Sequence, residues 1–384
     1  MMLPFAPTDQ GFSIRVISNA KNWEVLAEDW NALLFASRAR APFLTYEWAR
    51  AWWDIFGGND ALHIIVLEYA GGLACIAPLY RTQKQILGCL TVSMLRFLGD
   101  SQGGGDFLDL IVHPDKEDAA VLALASFLAS DRSWQALSFD QVDASSRAMA
   151  LLEAHLRSFS IDTRRDLRSL CPYVPLPDSW DAFLDIPDRP FKRMIEKDSV
   201  RMCKKHGLGV SFSALPEETV PLVGKLFELH LEFMRSDGVK SSLENPDLRN
   251  FFHRIALSFK EKGWLALASV TLGGEVVAVI YGIMFGQTYY LLQTGCGEKG
   301  RNVKAGNILT LFLMQDLLGK ACELNYLRGE ELYKYYWGCK SRVTQRLLAS
   351  RNGKGRLLLF WAAARAAAKA MKLALKPMKG GANG

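Results

Sequence analysis

Two stretches of the chain share one pattern of apolar and polar positions. Leu62 to Tyr69 is rich in β-branched residues, Ala70-Gly71-Gly72 supplies a turn, and Leu73 to Tyr80 is a second apolar run. Trp264 to Thr271, Leu272-Gly273-Gly274 and Glu275 to Phe285 repeat that plan. Two extended runs joined at residues able to take positive φ predict a β-hairpin in each place.

The flanking segments correspond as well. Ahead of the first hairpin the alternation of Phe12 to Ile17 predicts a strand. Trp23, Leu26, Trp30, Leu33 and Leu34 then fall at helical spacing, and Thr45 to Phe56 predicts a second helix. Ahead of the second hairpin come a strand at Gly209 to Ala214, a helix from Glu217 to Met234, and another that opens on Asn245-Pro246 and runs to Phe259. Proline suits a first helical turn because its missing N–H has no partner there.

After the first hairpin the pattern predicts strands at Met94 to Leu98 and Phe107 to Val112, a helix Lys116 to Ala129, a strand Ala136 to Phe139 and a helix Ser145 to Phe159. After the second it predicts a strand Thr288 to Thr294, a helix Lys304 to Cys322, a short strand Leu324 to Leu327 and a strand-like run at Tyr333 to Trp337. Each half therefore reads as α+β around a mixed sheet. The segment with Pro172, Pro175, Pro177 and Asp178 disfavours helix and marks the expected boundary. The implied division is 1–172, 178–350 and a tail, 351–384.

Length agrees with two cores, since 384 residues exceed what one core usually organises. Charge modifies the picture mainly at the C-terminus. The excess of Lys+Arg over Asp+Glu is 46 against 40, and no acidic residue follows Glu331. The tail is expected to be a basic helix that is either solvated or docked on an anion-bearing surface such as a membrane. The run Leu357 to Leu375 is broken by Arg365, Lys369 and Lys372, which argues against a spanning helix. Seven scattered cysteines, with no paired or zinc-like spacing, and no secretory pattern at the start lead to a cytoplasmic expectation.

Two constellations could carry chemistry. The first is Gln293-Thr-Gly295-Cys-Gly297-Glu-Lys-Gly300-Arg301-Asn-Val-Lys304-Ala-Gly306-Asn307, where a predicted strand meets a helix. Its glycines let the backbone turn closely, Arg301 and Lys304 bring positive charge, and a helix start offers unpaired N–H groups to a diphosphate. A plain strand-to-helix loop would read the same way. The equivalent join in the first half, Ile111 to Asp118, has no glycine and carries carboxylates, which disfavours an anion. Gly103-Gly104-Gly105-Asp106 lies earlier and reads as a flexible loop.

The second constellation is Leu324-Asn-Tyr-Leu-Arg328-Gly-Glu330-Glu331-Leu-Tyr333-Lys334-Tyr335-Tyr336-Trp337-Gly338. Arg328 can fix a carboxylate, Glu330 or Glu331 can accept a proton through water, and Tyr333, Tyr335 or Tyr336 can donate one, as acyl transfer to an amine requires. A structural ion pair beside packed tyrosines is the alternative. No serine-hydrolase elbow, His-Glu-x-x-His helix or Walker loop occurs, so neither those reactions nor a metal is implied.

This run resembles the signature F-D-[FL]-[LS]-R-G-[DE]-x-x-Y-K-x-x-W of GNAT-superfamily acyltransferases of the CelD/BcsL type, associated with cellulose and exopolysaccharide biosynthesis and related to the Fem aminoacyltransferases. Arg328, Gly329, Glu330, Tyr333, Lys334 and Trp337 fall in register, while Asn325 stands where the family often has Asp. The resemblance covers Phe191 to Gly338 and, more loosely, Pro42 to Trp48 in the first half. It implies tandem GNAT-like domains, the first degenerate. It implies acetyl-CoA or another acyl-CoA as co-substrate, with the pyrophosphate at Arg301, Lys304, Gly306 and Asn307 and the pantetheine along the strand of Gln293 and Gly295. Glu330 and His230 are implied as bases, Tyr333 or Tyr335 as acid, and Lys334 and Trp337 as substrate contacts. The acceptor would be an amino sugar or another cell-envelope or glycan precursor. Two alternatives are a Fem-like transferase that uses aminoacyl-tRNA and a non-catalytic accessory protein of a polysaccharide-synthesis complex.

Overall fold

The computed structural model describes residues 6–7, 11–86, 90–100, 102–186, 189–212, 216–329, 331–335, 337–351, 353 and 355–357. The first half opens with β1 (Ala6–Pro7), β2 (Phe12–Ile17), α1 (Ala20–Glu24), α2 (Ala27–Ala36) and α3 (Tyr46–Phe56). The strands β3 (Ala61–Leu62), β4 (Ile64–Tyr69), β5 (Gly72–Ala77), β6 (Leu79–Ile86), β7 (Leu90–Phe97) and β8 (Ile111–Val112) follow. The half closes with α4 (Glu117–Ser130), β9 (Ala136–Asp143), α5 (Arg147–Ser158) and β10 (Asp162–Pro175).

The second half begins with α6 (Trp180–Leu184), α7 (Arg189–His206), β11 (Leu208–Ser211), α8 (Thr219–Ser236) and α9 (Pro246–Glu261). Its hairpin and following strand are β12 (Leu265–Leu272), β13 (Glu275–Phe285) and β14 (Thr288–Cys296). Then come α10 (Glu298–Asn302), α11 (Ala305–Leu317), β15 (Glu323–Asn325), α12 (Leu332–Tyr335) and β16 (Lys340–Ser350).

Local chemistry explains why the halves repeat. Ala70 and Gly71 both take positive φ, as do Gly273 and Gly274, so each hairpin closes on the tight turn whose twist matches its strands. Helices α3 and α9 each follow a 3-10 turn, Pro42–Leu44 or Ser242–Glu244, and start on a side-chain cap. Thr45 accepts from the Trp48 N–H, and Asn245 accepts from the Asp247 N–H. Caps of this kind are worth about 1 kcal/mol each.

The architecture is mixed α/β, as expected, with sheets of order β1-β2-β4-β5-β8 and β11-β12-β13-β14-β15-β10-β16-β9-β7-β6-β3. Strands from both halves alternate at the centre of the larger sheet. β10 pairs with β15, and β16 inserts between β10 and β9, antiparallel to β10 from Asp162↔Ser350 to Tyr173↔Lys340. Pro172 and Pro175, in the segment read as unfavourable to helix, lie in β10 itself. Aromatic contacts reinforce the join: Trp48 meets Phe251 edge-on at 5.0 Å, and Phe43 meets Tyr290 at 5.8 Å. The run Tyr333 to Trp337 corrects an expectation, because Leu332 to Tyr335 is a helical turn rather than a strand. Among the described residues no helix is long and apolar enough to cross a membrane. The expected tail falls largely on residues 358–384, outside the described residues.

Candidate active site

β14 and β15 run parallel through only three registered pairs, Thr288↔Glu323, Tyr289↔Leu324 and Tyr290↔Asn325, and then part. Asn325 ends β15. Its Oδ1 accepts from the Leu327 N–H at 2.9 Å, and Leu327 takes φ 57°, so the chain swings away from β14. On the other side the register of β14 against β13 shifts between Gln293 and Leu291 and leaves Leu292 as a bulge. Bulges bend a strand and re-aim its side chains. A cavity of about 740 Å³ opens beside the parting strands. Gln293 and Thr294 line one side, Tyr326, Arg328 and Lys334 another, and His230 reaches it from α8.

The cavity also has a wall from the first half, which sequence reasoning missed. Gly103-Gly104-Gly105-Asp106 is a built element rather than a loose loop. Gly103 takes φ +85°, and a Cβ there would lie 2.9 Å from the Phe251 ring; a Cβ on Gly105 would lie 2.6 Å from the Gly99 carbonyl. Glycine lets this run press against the second half and deliver Asp106 to a wholly buried position. There Arg328 Nε lies 3.0 Å from Asp106 Oδ1, the Arg328 N–H donates to Oδ2 at 3.2 Å, and the guanidinium donates to Gly105 O at 2.9 Å. Burial pushes the Asp106 carboxyl above its usual value, and the charge and hydrogen bonds of Arg328 oppose that rise.

Lys334 is buried as well, with Nζ 2.7 Å from Glu331 Oε2 and donating to Gly329 O at 3.3 Å. Burial, the largest single influence, would raise the Glu331 carboxyl, but the hydrogen bond from Lys334, its own backbone N–H and the Lys334 charge together hold the group below its usual value. Gly329 takes φ +127°, and a Cβ there would meet both partners of this pair at under 3 Å. The positive φ calls for glycine here, since the two side-chain ends could shift to admit a Cβ but the backbone conformation disfavours any other residue.

His230 spans two elements. Nδ1 lies 2.8 Å from Thr294 O, and Nε2 lies 3.0 Å from Ser241 Oγ. A carbonyl only accepts, so Nδ1 carries a hydrogen and donates to Thr294 O, leaving Nε2 to the Ser241 hydroxyl. A base role for His230 would require the Ser241 bond to be given up. Tyr335 is partly exposed and Trp337 is buried edge-on against Phe191 at 5.8 Å; neither lines the cavity. Glu330, Tyr336 and the side chain of Tyr333 lie outside the described residues.

The glycine-rich join is partly a packing device. A Cβ on Gly295 would lie 2.5 Å from Leu226 O, and one on Gly300 would lie 2.4 Å from Val277 O, so these glycines seat β14 and α10 against α8 and β13. The start of α10 is already capped, since Glu232 accepts from the Glu298 N–H at 2.7 Å. The start of α11 has no side-chain cap: Lys304 precedes it at φ 56°, and Gly306 faces open space. Arg301 folds back onto α8, donating to Ser236 Oγ at 3.0 Å over the Phe233 ring, and Lys304 pairs with Asp198 at 3.3 Å. Asn307 belongs to the first turn of α11. Among the described residues no cluster of His, Cys, Asp and Glu could hold a metal ion.

Comparison with known proteins adds to this geometry. Residues 192–335 match the family model described as an acetyltransferase (GNAT) domain. The fold is similar to that of FemX, at 12% identity and TM-score 0.59 over 84% of this chain and 95% of that one. It is also similar to a conserved protein of unknown function from Bacteroides thetaiotaomicron VPI-5482, at 13% identity and TM-score 0.55 over 91% and 100%. A third similar structure is L-PGS from Bacillus licheniformis, at 12% identity and TM-score 0.51 over 87% and 92%. No curated protein sequence matches significantly.

Proposed function

We propose that the protein, whose residues 192–335 match an acetyltransferase (GNAT) domain model, transfers an acyl group, acetyl in the simplest case, from acyl-CoA to an amine on a sugar or cell-envelope precursor. The parting of β14 from β15 carries this reading. Beyond Tyr290 and Asn325 the facing backbone edges no longer bond each other, so the amide-bearing pantetheine arm can take the place of a strand beside Gln293 and Gly295. The first turn of α11, which Lys304 leaves without a side-chain cap, offers N–H groups to the diphosphate, that of Gly306 once it leaves the Cys296 sulfur. Arg301 and Lys304 would exchange Ser236 and Asp198 for that anion.

The acceptor enters from the cavity side, under the loop that holds Asp106. Its nitrogen lone pair attacks the thioester carbonyl carbon, the carbonyl π pair moves to oxygen, and collapse expels the CoA thiolate as the amide forms. Glu331 lines the cavity, is exposed at its outer end, and is held ionised by Lys334. It is therefore placed to take the ammonium proton through water, as a weaker base than an unpaired carboxylate. Glu330 and His230 are further candidates for that proton, and Tyr333 for protonating the thiolate, Tyr335 lying away from the cavity. Arg328 with Asp106 and Lys334 with Glu331 make the inner wall two ion pairs of no net charge, able to hydrogen-bond a polyhydroxylated acceptor.

Calorimetric titration with acetyl-CoA tests the donor. Wild-type protein should bind in the micromolar range, and Gly306→Glu, which sets a carboxylate at the α11 start, should weaken binding at least about tenfold. No binding by the wild type would refute the acyl-CoA reading and leave an aminoacyl-tRNA donor or a non-catalytic role.

A further inference from the structure

Helix α7 carries a surface that the transferase reading does not use. At about 100° per residue, Arg193, Lys197, Arg201, Lys204 and Lys205 fall on one side of this helix, and all five are exposed. Met194 and Val200 lie within the same arc and are 52% and 42% exposed. The opposite side holds Lys192, Ile195 and Ser199, each buried. The two carboxylates of α7 sit at the margins of the exposed arc and are engaged. Glu196 accepts from Trp180 Nε1 at 2.7 Å, and Asp198 faces Lys304 at 3.3 Å and Arg201 at 2.9 Å. Arg193 approaches Glu196 at 4.0 Å. Lys197, Lys204 and Lys205 make no ion pair among the described residues.

The result is a straight strip, about 18 Å long from Arg193 to Lys205 at 1.5 Å per residue, that is positive throughout and studded with two apolar side chains. Folding within this chain does not account for it, because like charges along one face repel and exposed Met and Val gain nothing from water. A nucleic-acid backbone would satisfy the charges but leave Met194 and Val200 without a role. A lipid headgroup layer satisfies both, since cations meet phosphates while apolar groups enter the acyl boundary.

We propose that α7 is a docking face for an anionic lipid surface, with its cations against headgroup phosphates and Met194 and Val200 in the interfacial layer. This assignment stands independently of the transferase chemistry.

Flotation of the full-length protein with vesicles tests it. Wild-type protein should float with phosphatidylcholine vesicles that contain phosphatidylglycerol, be released by salt, and not float with phosphatidylcholine alone. The triple variant Lys197→Glu, Lys204→Glu, Lys205→Glu should lower partitioning by more than about tenfold. The variant Met194→Ser, Val200→Ser should lower it several-fold with the charges intact. Unchanged circular dichroism would confirm that both variants fold. The assignment is overturned if the wild type ignores anionic vesicles, or if the triple variant floats as well as the wild type, which would move lipid binding to the C-terminal tail. It is equally overturned if the serine variant floats normally while the triple variant loses binding to an RNA duplex, which would make α7 a nucleic-acid face.

Discussion

Removing Asp106 should cost stability in a way that exposes the dependence of one half on the other. Asp106 is wholly buried and Arg328 is about one-third exposed, at 32%. Breaking a fully buried ion pair from one side costs about 3–5 kcal/mol. Water can reach part of the guanidinium, so the cost of Asp106→Ala falls toward the ~1.5–3 kcal/mol of a hydrogen bond to a charged group. Arg328→Ala should cost at least as much, because it strands a carboxylate that no solvent touches. The double variant should then lose little more than the worse single one, giving a coupling energy of about 1.5–3 kcal/mol. Equilibrium urea unfolding followed by tryptophan fluorescence is the assay, and Trp52 reports on this loop because its Nε1 donates to Gln102 O at 2.9 Å. Costs that add to within about 0.5 kcal/mol would refute the reasoning, since they would show that the two side chains act separately.

Three further outcomes follow from the same structure. Asp109 is buried, accepts from the Leu110 N–H at 2.7 Å, and is pushed up to about 7 by burial. Its folded value lies above the unfolded one, so its contribution is complete below about pH 4 and is lost as pH rises toward 7, at up to about 1.4 kcal/mol per pH unit. Urea titrations across that range should show this slope in the wild type and a flatter one in Asp109→Asn. Gly295→Ala drives a Cβ to 2.5 Å from the Leu226 carbonyl, which should cost about 1–3 kcal/mol and lower the thermal midpoint; an unchanged midpoint would contradict the close seating of β14 on α8. Glu331→Gln should reduce the rate of acyl transfer by about 10²–10⁴ while leaving acetyl-CoA affinity intact, as read from steady-state rates beside calorimetry.

Much of the local structure was legible because local chemistry determines it. The glycine turns of both hairpins, the Asn245-Pro246 helix start and the alternation of Phe12 to Ile17 require no knowledge of distant contacts. What escaped is non-local. Nothing near Asp162–Pro175 signals that it pairs with Lys340–Ser350, and prolines that usually interrupt structure sit within that strand. Asp106 looked like the end of a flexible glycine run because its partner, Arg328, lies 222 residues on. The site showed the same division. Arg328 was expected to fix a carboxylate, but the carboxylate belongs to the protein itself. Arg301 was expected at the phosphate turn and instead closes on the end of α8, where Ser236 and the Phe233 ring compete for it. Trp337 fits the signature yet fills the core, since a motif records which residues occur and not which way they face.

The proposed passage of an acyl group from CoA to an amine in the cleft between β14 and β15 is read out by release of free thiol from acetyl-CoA, recorded with and without a panel of amino sugars. It requires thiol release that depends on one class of amine, yields an equal amount of N-acetylated product, and falls in Glu331→Gln. Tight acetyl-CoA binding with no amine-dependent release across the panel, or release unaffected by that substitution, would contradict it.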